Sequence, residues 1–203
     1  MDALPLRERN KQKINERIIA AAVELFNTRG CQQTTMDEIA GRAEISRATL
    51  FNYFPSKDAL LLPWAQQILE RHIRPELRAR LDRQPNSMQA LEWLLTSLSE
   101  NVASSPDTMQ AFMGEALKPH NKPQRELARN GMQELFMQVL EYGQARGEVR
   151  TDIPLPELAG YVAALHASVL FRLLETDAGA RSATEEIERL LVFIKPGLRP
   201  VRR

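Results

Sequence analysis

Apolar residues recur at helical spacing along almost the whole chain, and the two-residue alternation typical of strands is nearly absent. The clearest case near the start is one apolar stripe on a first predicted helix. Its members are Ile14, Ile18, Ala22, Leu25 and Phe26. Gly30 follows this stripe and suits the left-handed position after a helix end. The pattern predicts an all-α fold.

Two short helices are predicted within residues 35–54. The stretch Thr35-Met36-Asp37-Glu38 matches a capping box, in which the threonine hydroxyl accepts from the third helical amide and the glutamate reaches back. After a short turn, Ser46 is placed to cap a third helix. Pro55 ends that helix, because the residue before a proline is steered out of helical geometry. Helix, helix, tight turn and short helix within residues 11–54 is the order of a helix-turn-helix unit.

The rest of the chain divides into six further helices at clusters of proline, glycine, asparagine and serine. The predicted ranges are about 57–82, 87–104, 107–118, 122–146, 155–176 and 183–194, which gives about nine helices in total. Pro63 and Pro75 are candidate kinks in the first of these. The tail from Lys195 to Arg203 is expected to be frayed.

The composition is ordinary for a globular chain of 203 residues, with 43% hydrophobic and 26% charged residues. The net charge is only +1, so a nucleic-acid partner would have to be met by a local basic patch. Cys31 is the single cysteine, which excludes an internal disulfide and fits a reducing compartment.

We expect a soluble, cytoplasmic protein without a membrane partner. The first 17 residues carry basic side chains with no apolar run behind them, which does not match a signal peptide. The longest strongly apolar stretch, Tyr161 to Phe171, is far shorter than the roughly 20 residues that a membrane span requires.

The predicted third helix has two different sides. Leu50, Phe51 and Phe54 fall within about 100° of one another and are expected to pack inward. The side chains on the opposite side are Ala48, Thr49 and Asn52, with Tyr53 at its edge. Small neutral hydrogen-bonding groups suit an approach to base edges, whereas an ordinary solvated face carries lysine and glutamate. The pattern favours DNA binding; a helical hairpin that merely packs is the alternative.

Flanking residues add candidate contacts to DNA. Arg47, in the first turn of the third helix, is placed to reach the paired acceptors of a guanine. Lys57 can neutralise a phosphate, and Tyr53 can donate its hydroxyl to one. The amides at the start of the second helix, at Thr35, are expected to be unpaired and to form another anion site. The basic arm from Arg7 to Lys13 either reaches the DNA backbone or minor groove, or is solvated and disordered.

The segment "TTMDEIAGRAEISRATLFNYFPSKDALL" closely resembles the recognition segment of the tetracycline-repressor (TetR) family of bacterial transcription regulators. The resemblance covers about residues 14–62, roughly a quarter of the chain. It implies an N-terminal helix-turn-helix DNA-binding domain, residues 1–56, and a six-helix effector-binding and dimerisation domain, residues 57–203. It also implies a homodimer on a palindromic operator of double-stranded DNA, released by a small-molecule effector.

The resemblance assigns roles to individual residues. The implied DNA-binding set is Thr35, Ser46, Arg47, Ala48, Thr49, Asn52, Tyr53 and Lys57, of which Thr35, Tyr53 and Lys57 are the phosphate contacts. Three positions depart from the family pattern. Phe51 replaces a common tyrosine, Glu44 stands where a glycine often serves the turn, and Cys31 replaces an aromatic residue. Glu44 therefore adds strain if its backbone is left-handed, and Cys31 is read as a packing residue in preference to a redox sensor.

The last two predicted helices are apolar on more than one side and so need cover on two sides. A four-helix interface with a second copy about a two-fold axis would supply that cover. The predicted dimerisation residues are Leu158, Val162, Leu165, Val169, Leu173, Ile187, Leu190, Leu191 and Ile194. Two reading helices about 34 Å apart would then enter successive major-groove faces.

Methionine and aromatic residues lie between the helix-turn-helix unit and this interface. They suit an adaptable apolar pocket, although such residues at helical spacing are more often core. The candidate effector-binding residues are Trp93, Met109, Phe112, Met113, Glu115, Met132, Phe136 and His166. His120 is a further candidate polar contact. No cofactor and no metal are expected, because Cys/His ligand spacing and a glycine-rich phosphate loop are missing from the sequence.

Three other functions remain open at this point. The first is an enzyme, which the scattered histidines and the missing motifs disfavour. The second is a helical ligand-binding module that does not bind DNA. The third is a transcriptional activator of the same fold, which the sequence does not distinguish from a repressor.

Overall fold

The computed structural model describes residues 5–83, 86–118, 122–175 and 182–201. Within these ranges the regular structure is entirely helical, as predicted. The α-helices are α1 Leu6–Arg29, α2 Met36–Arg42, α3 Arg47–Tyr53, α4 Leu61–Ile68, α5 Arg74–Asp82, α6 Ser87–Ser104, α7 Pro106–Leu117, α8 Lys122–Ala145, α9 Leu155–Glu175 and α10 Ala183–Leu198. A 3₁₀ turn, Asp58–Leu60, precedes α4, and a π-helical turn, Leu69–Ile73, joins α4 to α5. Since α4, the π-helical turn and α5 follow one another without a break, they count as one helix, and the described residues form nine helices.

The continuous helix is regular except just before Pro75. A proline has no N–H to donate to the preceding turn, and its ring crowds that turn. The π-helical turn Leu69–Ile73 stands immediately before α5, in which Pro75 is the second residue. Pro63 is the third residue of α4, where a missing N–H costs little. The irregularity therefore coincides with one of the two candidate positions.

The end of α10 differs from the prediction. A frayed tail was expected from Lys195, but the helix continues through Pro196 to Leu198. Leu198 is buried in the core, and its carbonyl accepts from the backbone amide of Arg150 at 2.9 Å. The Arg150 guanidinium also donates to the Gly197 carbonyl at 3.0 Å. Long-range contacts hold the last turn, which no local pattern could have indicated.

The chain forms two compact units. The first runs up to Gln67 and also includes Ser105–Lys122, so it takes in α7. The second consists of Ile68–Ser104 and Pro123–Arg203. The predicted functional boundary between residues 56 and 57 stays a prediction, since packing alone defines these units.

Each unit has its own buried side chains. In the first unit, Ile18, Phe26, Ile39, Leu50 and Trp64 are almost completely shielded from solvent. In the second unit, α6 is the central helix and contacts both α9 and α10. Leu91, Leu94 and Leu95 of α6 pack in a continuous apolar cluster with residues of α8, α9 and α10.

Helix α9 is more apolar than its sequence pattern indicated. Leu155–Leu174 is long and apolar enough to cross a bilayer, with a mean hydropathy of 1.3, so the expectation that no stretch reaches that length is wrong. One such helix is weak evidence for a membrane span, because the core helix of a globular protein has the same composition. Here α9 packs against α6 and α10 and contributes Leu158, Val162 and Val169 to the core.

Candidate DNA-binding surface

Short helices α2 and α3 are fixed by their caps. The Thr35 hydroxyl accepts from the Glu38 amide at 3.2 Å, and the Glu38 carboxylate accepts from the Thr35 amide at 2.8 Å, which completes the predicted capping box. Ser46 caps α3 by accepting from the Thr49 amide at 3.0 Å. Gly30 ends α1 with φ of 80° and donates to the Phe26 carbonyl. All three caps are local features, and all three predictions are confirmed.

The turn between α2 and α3 has a left-handed residue. Glu44 has φ of 50°, so the strain predicted for a side chain in place of glycine is present. Arg17 of α1 stabilises this turn by donating to the Ala43 and Glu44 carbonyls and to the Glu44 carboxylate. The turn sets the direction in which α3 leaves α2.

Helix α3 presents a polar flank to solvent. Leu50 and Phe54 are buried and anchor the helix, as predicted. Ala48 and Asn52 are exposed, whereas Thr49 and Tyr53 are half-buried. Phe51 is 38% exposed, so the prediction that it packs inward is wrong. Its position lies beyond the narrow arc shared by Leu50 and Phe54, and its ring lies under the Arg47 guanidinium at 5.5 Å.

Arg47 is already partnered in this structure. Its Nη1 donates to Asp37 Oδ2 of α2 at 2.9 Å, and both side chains are largely exposed. An exposed ion pair contributes only about 0–1 kcal/mol of stability. The guanidinium can therefore exchange Asp37 for another acceptor at small cost.

Two of the implied phosphate contacts are also engaged in hydrogen bonds. Lys57 Nζ donates to the Thr34 carbonyl at 2.9 Å and to the Gln32 carbonyl at 3.2 Å. An ammonium group has three protons, so one remains for a phosphate. The Thr35 amide is bonded to Glu38, so the premise that this amide is unpaired is wrong. The same bond helps to hold the pKa of the Glu38 carboxyl below its usual value.

Helix α7 joins the first unit through a hydroxyl that no sequence motif pointed to. Thr108 is buried; its Oγ1 accepts from the Cys31 amide at 3.0 Å and donates to the Phe26 carbonyl at 3.4 Å. Trp64 of α4 donates to the Asn27 side chain at 2.9 Å and lies 6.5 Å from the Phe112 ring. These contacts span up to 82 residues of sequence, so no local signal could have found them.

Burial supports the reading of Cys31 as a packing residue. Its side chain is shielded, and burial raises the pKa of its thiol. Since the thiolate is the reactive form, a raised pKa disfavours redox chemistry. Among the described residues, no group of three or more histidine, cysteine or acidic side chains is arranged to hold a metal.

The predicted effector-binding residues fall in both units. Met109, Phe112, Met113 and Glu115 lie on α7 in the first unit, where Glu115 pairs with Lys118. Trp93, Met132, Phe136 and His166 lie in the second unit. His166 is buried, and its Nε2 is 3.0 Å from Ser99 Oγ. Its ring lies in a T-shaped arrangement with that of Phe136, with 5.8 Å between the ring centroids. Burial lowers the pKa of His166 to about 4. His120 lies outside the described residues.

The predicted dimerisation residues lie mainly inside the second unit. Leu158, Val162, Val169, Ile187, Leu190, Leu191 and Ile194 are buried, and Leu165 and Leu173 are partly buried. These side chains already have partners within the chain. The large apolar side chains that the same two helices expose are Tyr161, Phe171, Val192 and Phe193.

A capped recognition helix, anchored by its apolar side and carrying a polar outer flank, defines a DNA-binding protein of the helix-turn-helix class. A family model for bacterial regulatory proteins of the tetR family matches residues 18–62. A solved structure of the Thermus thermophilus FadR, a TetR-family transcriptional repressor in complex with lauroyl-CoA, is 32% identical in sequence. It covers 93% of this chain and 96% of its own, with a TM-score of 0.74. This chain belongs to the TetR family of transcriptional regulators.

Two curated relatives match over shorter stretches. The Escherichia coli HTH-type transcriptional regulator RutR is 34% identical over 100 residues, which are 49% of this chain and 46% of RutR. YuxN of Bacillus subtilis, an HTH-type transcriptional regulator, is 28% identical over 121 residues, 60% of this chain and 40% of YuxN. The matches thus span less than half the length of either relative.

Proposed function

We propose that this protein is a cytoplasmic homodimeric repressor that binds a palindromic operator and is released by an acyl-CoA-type effector. The observation that carries the proposal is the outer flank of α3, where Ala48 and Asn52 are exposed on a helix anchored by Leu50 and Phe54. Repression is favoured over activation because the Thermus thermophilus relative is a transcriptional repressor.

Arg47 would contact a base by exchanging its partner Asp37 for a guanine. In the free protein its guanidinium is oriented by Asp37 and by the face of Phe51. Near DNA, the guanine N7 and O6 acceptors would replace the Asp37 carboxylate, and a good bidentate contact discriminates by about 1–3 kcal/mol. The exposed pair that must be broken costs at most about 1 kcal/mol. The exchange is therefore favourable for the correct base.

Dimerisation would use the outer faces of α9 and α10. Val192 and Phe193 are 76% and 71% exposed, and Tyr161 and Phe171 add two aromatic rings on α9. Large exposed apolar side chains on neighbouring helices are typical of an interaction surface. Pairing the two helices with those of a second copy gives a closed four-helix interface and covers all four side chains.

An acyl-CoA is the effector class that the relatives favour. The Thermus thermophilus protein was solved with lauroyl-CoA, and a long acyl chain matches an apolar helical interior. In the second unit, Met132 and Phe136 pack with the apolar cluster, and the buried polar pair of Ser99 and His166 lies beside Phe136. Binding would shift the population toward a state that does not fit the operator.

Helix α7 is proposed to transmit effector binding to the helix-turn-helix unit. It carries four of the candidate effector-binding residues, and Thr108 near its start is bonded to the end of α1 at Phe26 and Cys31. A change in the position of α7 would act on α1 directly, in addition to the attachment through α4.

The proposal is tested by selecting operator sequences from random DNA with the purified protein, then measuring affinity by fluorescence anisotropy with and without lauroyl-CoA. We expect an enriched palindrome and weaker binding when lauroyl-CoA is present, with free lauric acid as the control. If the selection enriches no sequence, sequence-specific DNA binding is refuted. An enriched operator whose affinity lauroyl-CoA leaves unchanged would refute only the effector class.

A further inference from the structure

A cleft in the second unit is lined by hydrogen-bond donors that take no part in the proposed contact with DNA. It lies at the end of α5, the first half of α6 and the first turn of α10, with a volume of about 630 Å³. That volume is within the range of about 300–1,000 Å³ that is usual for small-molecule sites. The side chains that matter for its chemistry are Arg80, Arg83, Glu92, Trp93, Thr96 and Thr184.

Arg80 is held in a fixed orientation at this cleft. Its guanidinium lies over the Trp93 ring, 4.6 Å from the centroid, and its Nε is 3.2 Å from Glu76 Oε1. A guanidinium fixed in this way loses little side-chain entropy when it binds an anion. Because Glu76 meets the Nε edge, the two terminal nitrogens remain available as donors.

The other donors of the cleft are unengaged. Within the described part of the chain, the side chains of Arg83, Thr96 and Thr184 form no hydrogen bond or ion pair. The acidic residue of the wall, Glu92, is paired with Lys195 Nζ at 3.2 Å. Arg80 is paired with Glu76 and Glu92 is paired with Lys195, so Arg83 is the cationic side chain of the described lining that lacks an acidic partner. Together with the two threonine hydroxyls it makes the cleft favour an anion.

We propose that this cleft binds the phosphate groups of a nucleotide. Arg80 and Arg83 match phosphate oxygens with paired N–H donors, the two threonine hydroxyls add neutral donors, and the Trp93 and Arg80 pair offers a flat surface to a base. A nucleotide phosphate is supplied either by a free nucleotide or by the nucleotide end of a coenzyme A thioester. The site stands apart from the proposed contact with DNA, and only its thioester alternative rests on the proposed effector.

Isothermal titration calorimetry on the full chain tests the site with three probes: ADP, pyrophosphate and lauroyl-CoA. Arg83→Gln removes one guanidinium without breaking a contact, so its thermal unfolding midpoint should match that of the wild type. Arg78→Gln is the matched control, because Arg78 is exposed on the same helix and does not line the cleft. We expect ADP to bind, with affinity lowered about tenfold or more by Arg83→Gln and unchanged by Arg78→Gln.

The probes separate the two sources of phosphate. If Arg83→Gln weakens ADP but leaves lauroyl-CoA unchanged, the ligand is a free nucleotide; if both weaken, the cleft holds the nucleotide end of the thioester. No heat of binding from any probe at millimolar concentration would overturn the proposal. Equal loss in the two arginine variants would also overturn it, because that result indicates only general attraction between charges.

Discussion

The two interior glycines that are described in α8 differ in how much room they leave for a side chain. A Cβ on Gly143 would lie 2.5 Å from Val149 Cγ2 and 2.7 Å from Ser87 Oγ, whereas a Cβ on Gly131 would meet only Leu69 Cδ1 at 4.0 Å. Both sites are helical, so alanine gains similar helix propensity at each, up to about 1 kcal/mol. The two substitutions should therefore differ in stability only because a Cβ at Gly143 clashes with Val149 and Ser87.

We predict opposite signs for the two alanine substitutions. Gly143→Ala should lower the free energy of unfolding by about 1–3 kcal/mol, because Val149 is buried and Ser87 begins α6. Gly131→Ala should leave it unchanged or raise it by up to about 1 kcal/mol. Urea unfolding followed by circular dichroism measures both; equal effects would contradict the close approach of α8 to the start of α6.

The buried imidazole of His166 predicts a pH-dependent stability. Burial lowers its pKa to about 4, below the unfolded value near 6.5, so the unfolded chain binds more protons between these limits. The stabilisation is complete above about pH 6.5 and is lost as the pH falls toward 4. Between pH 7 and pH 5 the wild type should lose about 2 kcal/mol more than His166→Phe. Equal losses in the two proteins, measured by urea unfolding, would show that His166 does not titrate as described.

At the scale of elements, α7 is predicted to transmit the effector signal through one hydroxyl. Thr108→Val removes the hydrogen bond from the Cys31 amide and leaves that buried amide unpaired, which costs about 1–3 kcal/mol. We expect the variant to bind operator with a smaller response to lauroyl-CoA, read by fluorescence anisotropy. Thr108→Ser keeps the hydroxyl and should restore the response. Loss of the response in the serine variant would exclude the hydroxyl as the link.

Helix positions and caps were predictable from the sequence because they depend on neighbours within one turn. The capping box at Thr35, the cap at Ser46 and the end at Gly30 are cases of this kind. The outward position of Phe51 and the Arg47 to Asp37 pair were not predictable, since they depend on how α3 meets α2. Periodicity states that a helix has an apolar side, but it does not state which neighbour covers each residue.

The candidate sites also differ in how far apart in sequence their residues lie. The outer flank of α3 could be assigned because one short helix contains it, whereas the cleft at Arg80, Trp93 and Thr184 joins helices that are far apart in sequence. The predicted dimerisation residues share an apolar helical spacing, and core residues have the same spacing. Solvent exposure, which the sequence does not give, indicates Val192 and Phe193 as candidate interface residues instead.

At the scale of the whole molecule, dimerisation should depend on the exposed apolar side chains of α9 and α10. Phe193→Glu places a charge on the proposed interface and should shift the protein toward monomers in sedimentation velocity at micromolar concentration. Because Phe193 is 71% exposed, the helical content of the variant should be unchanged. Arg78→Glu, at an exposed position on α5, is the control. A Phe193→Glu protein that sediments like the wild type would place the dimer interface elsewhere.

The contact between α3 and DNA is tested by the operator affinity of α3 variants. On the selected operator, Arg47→Ala should weaken binding by about 1–3 kcal/mol, and Tyr53→Ala should also weaken it. Both variants should keep the sedimentation coefficient of the wild type, and Arg78→Ala should bind as the wild type does. Unchanged operator affinity in both α3 variants would show that this flank does not touch DNA.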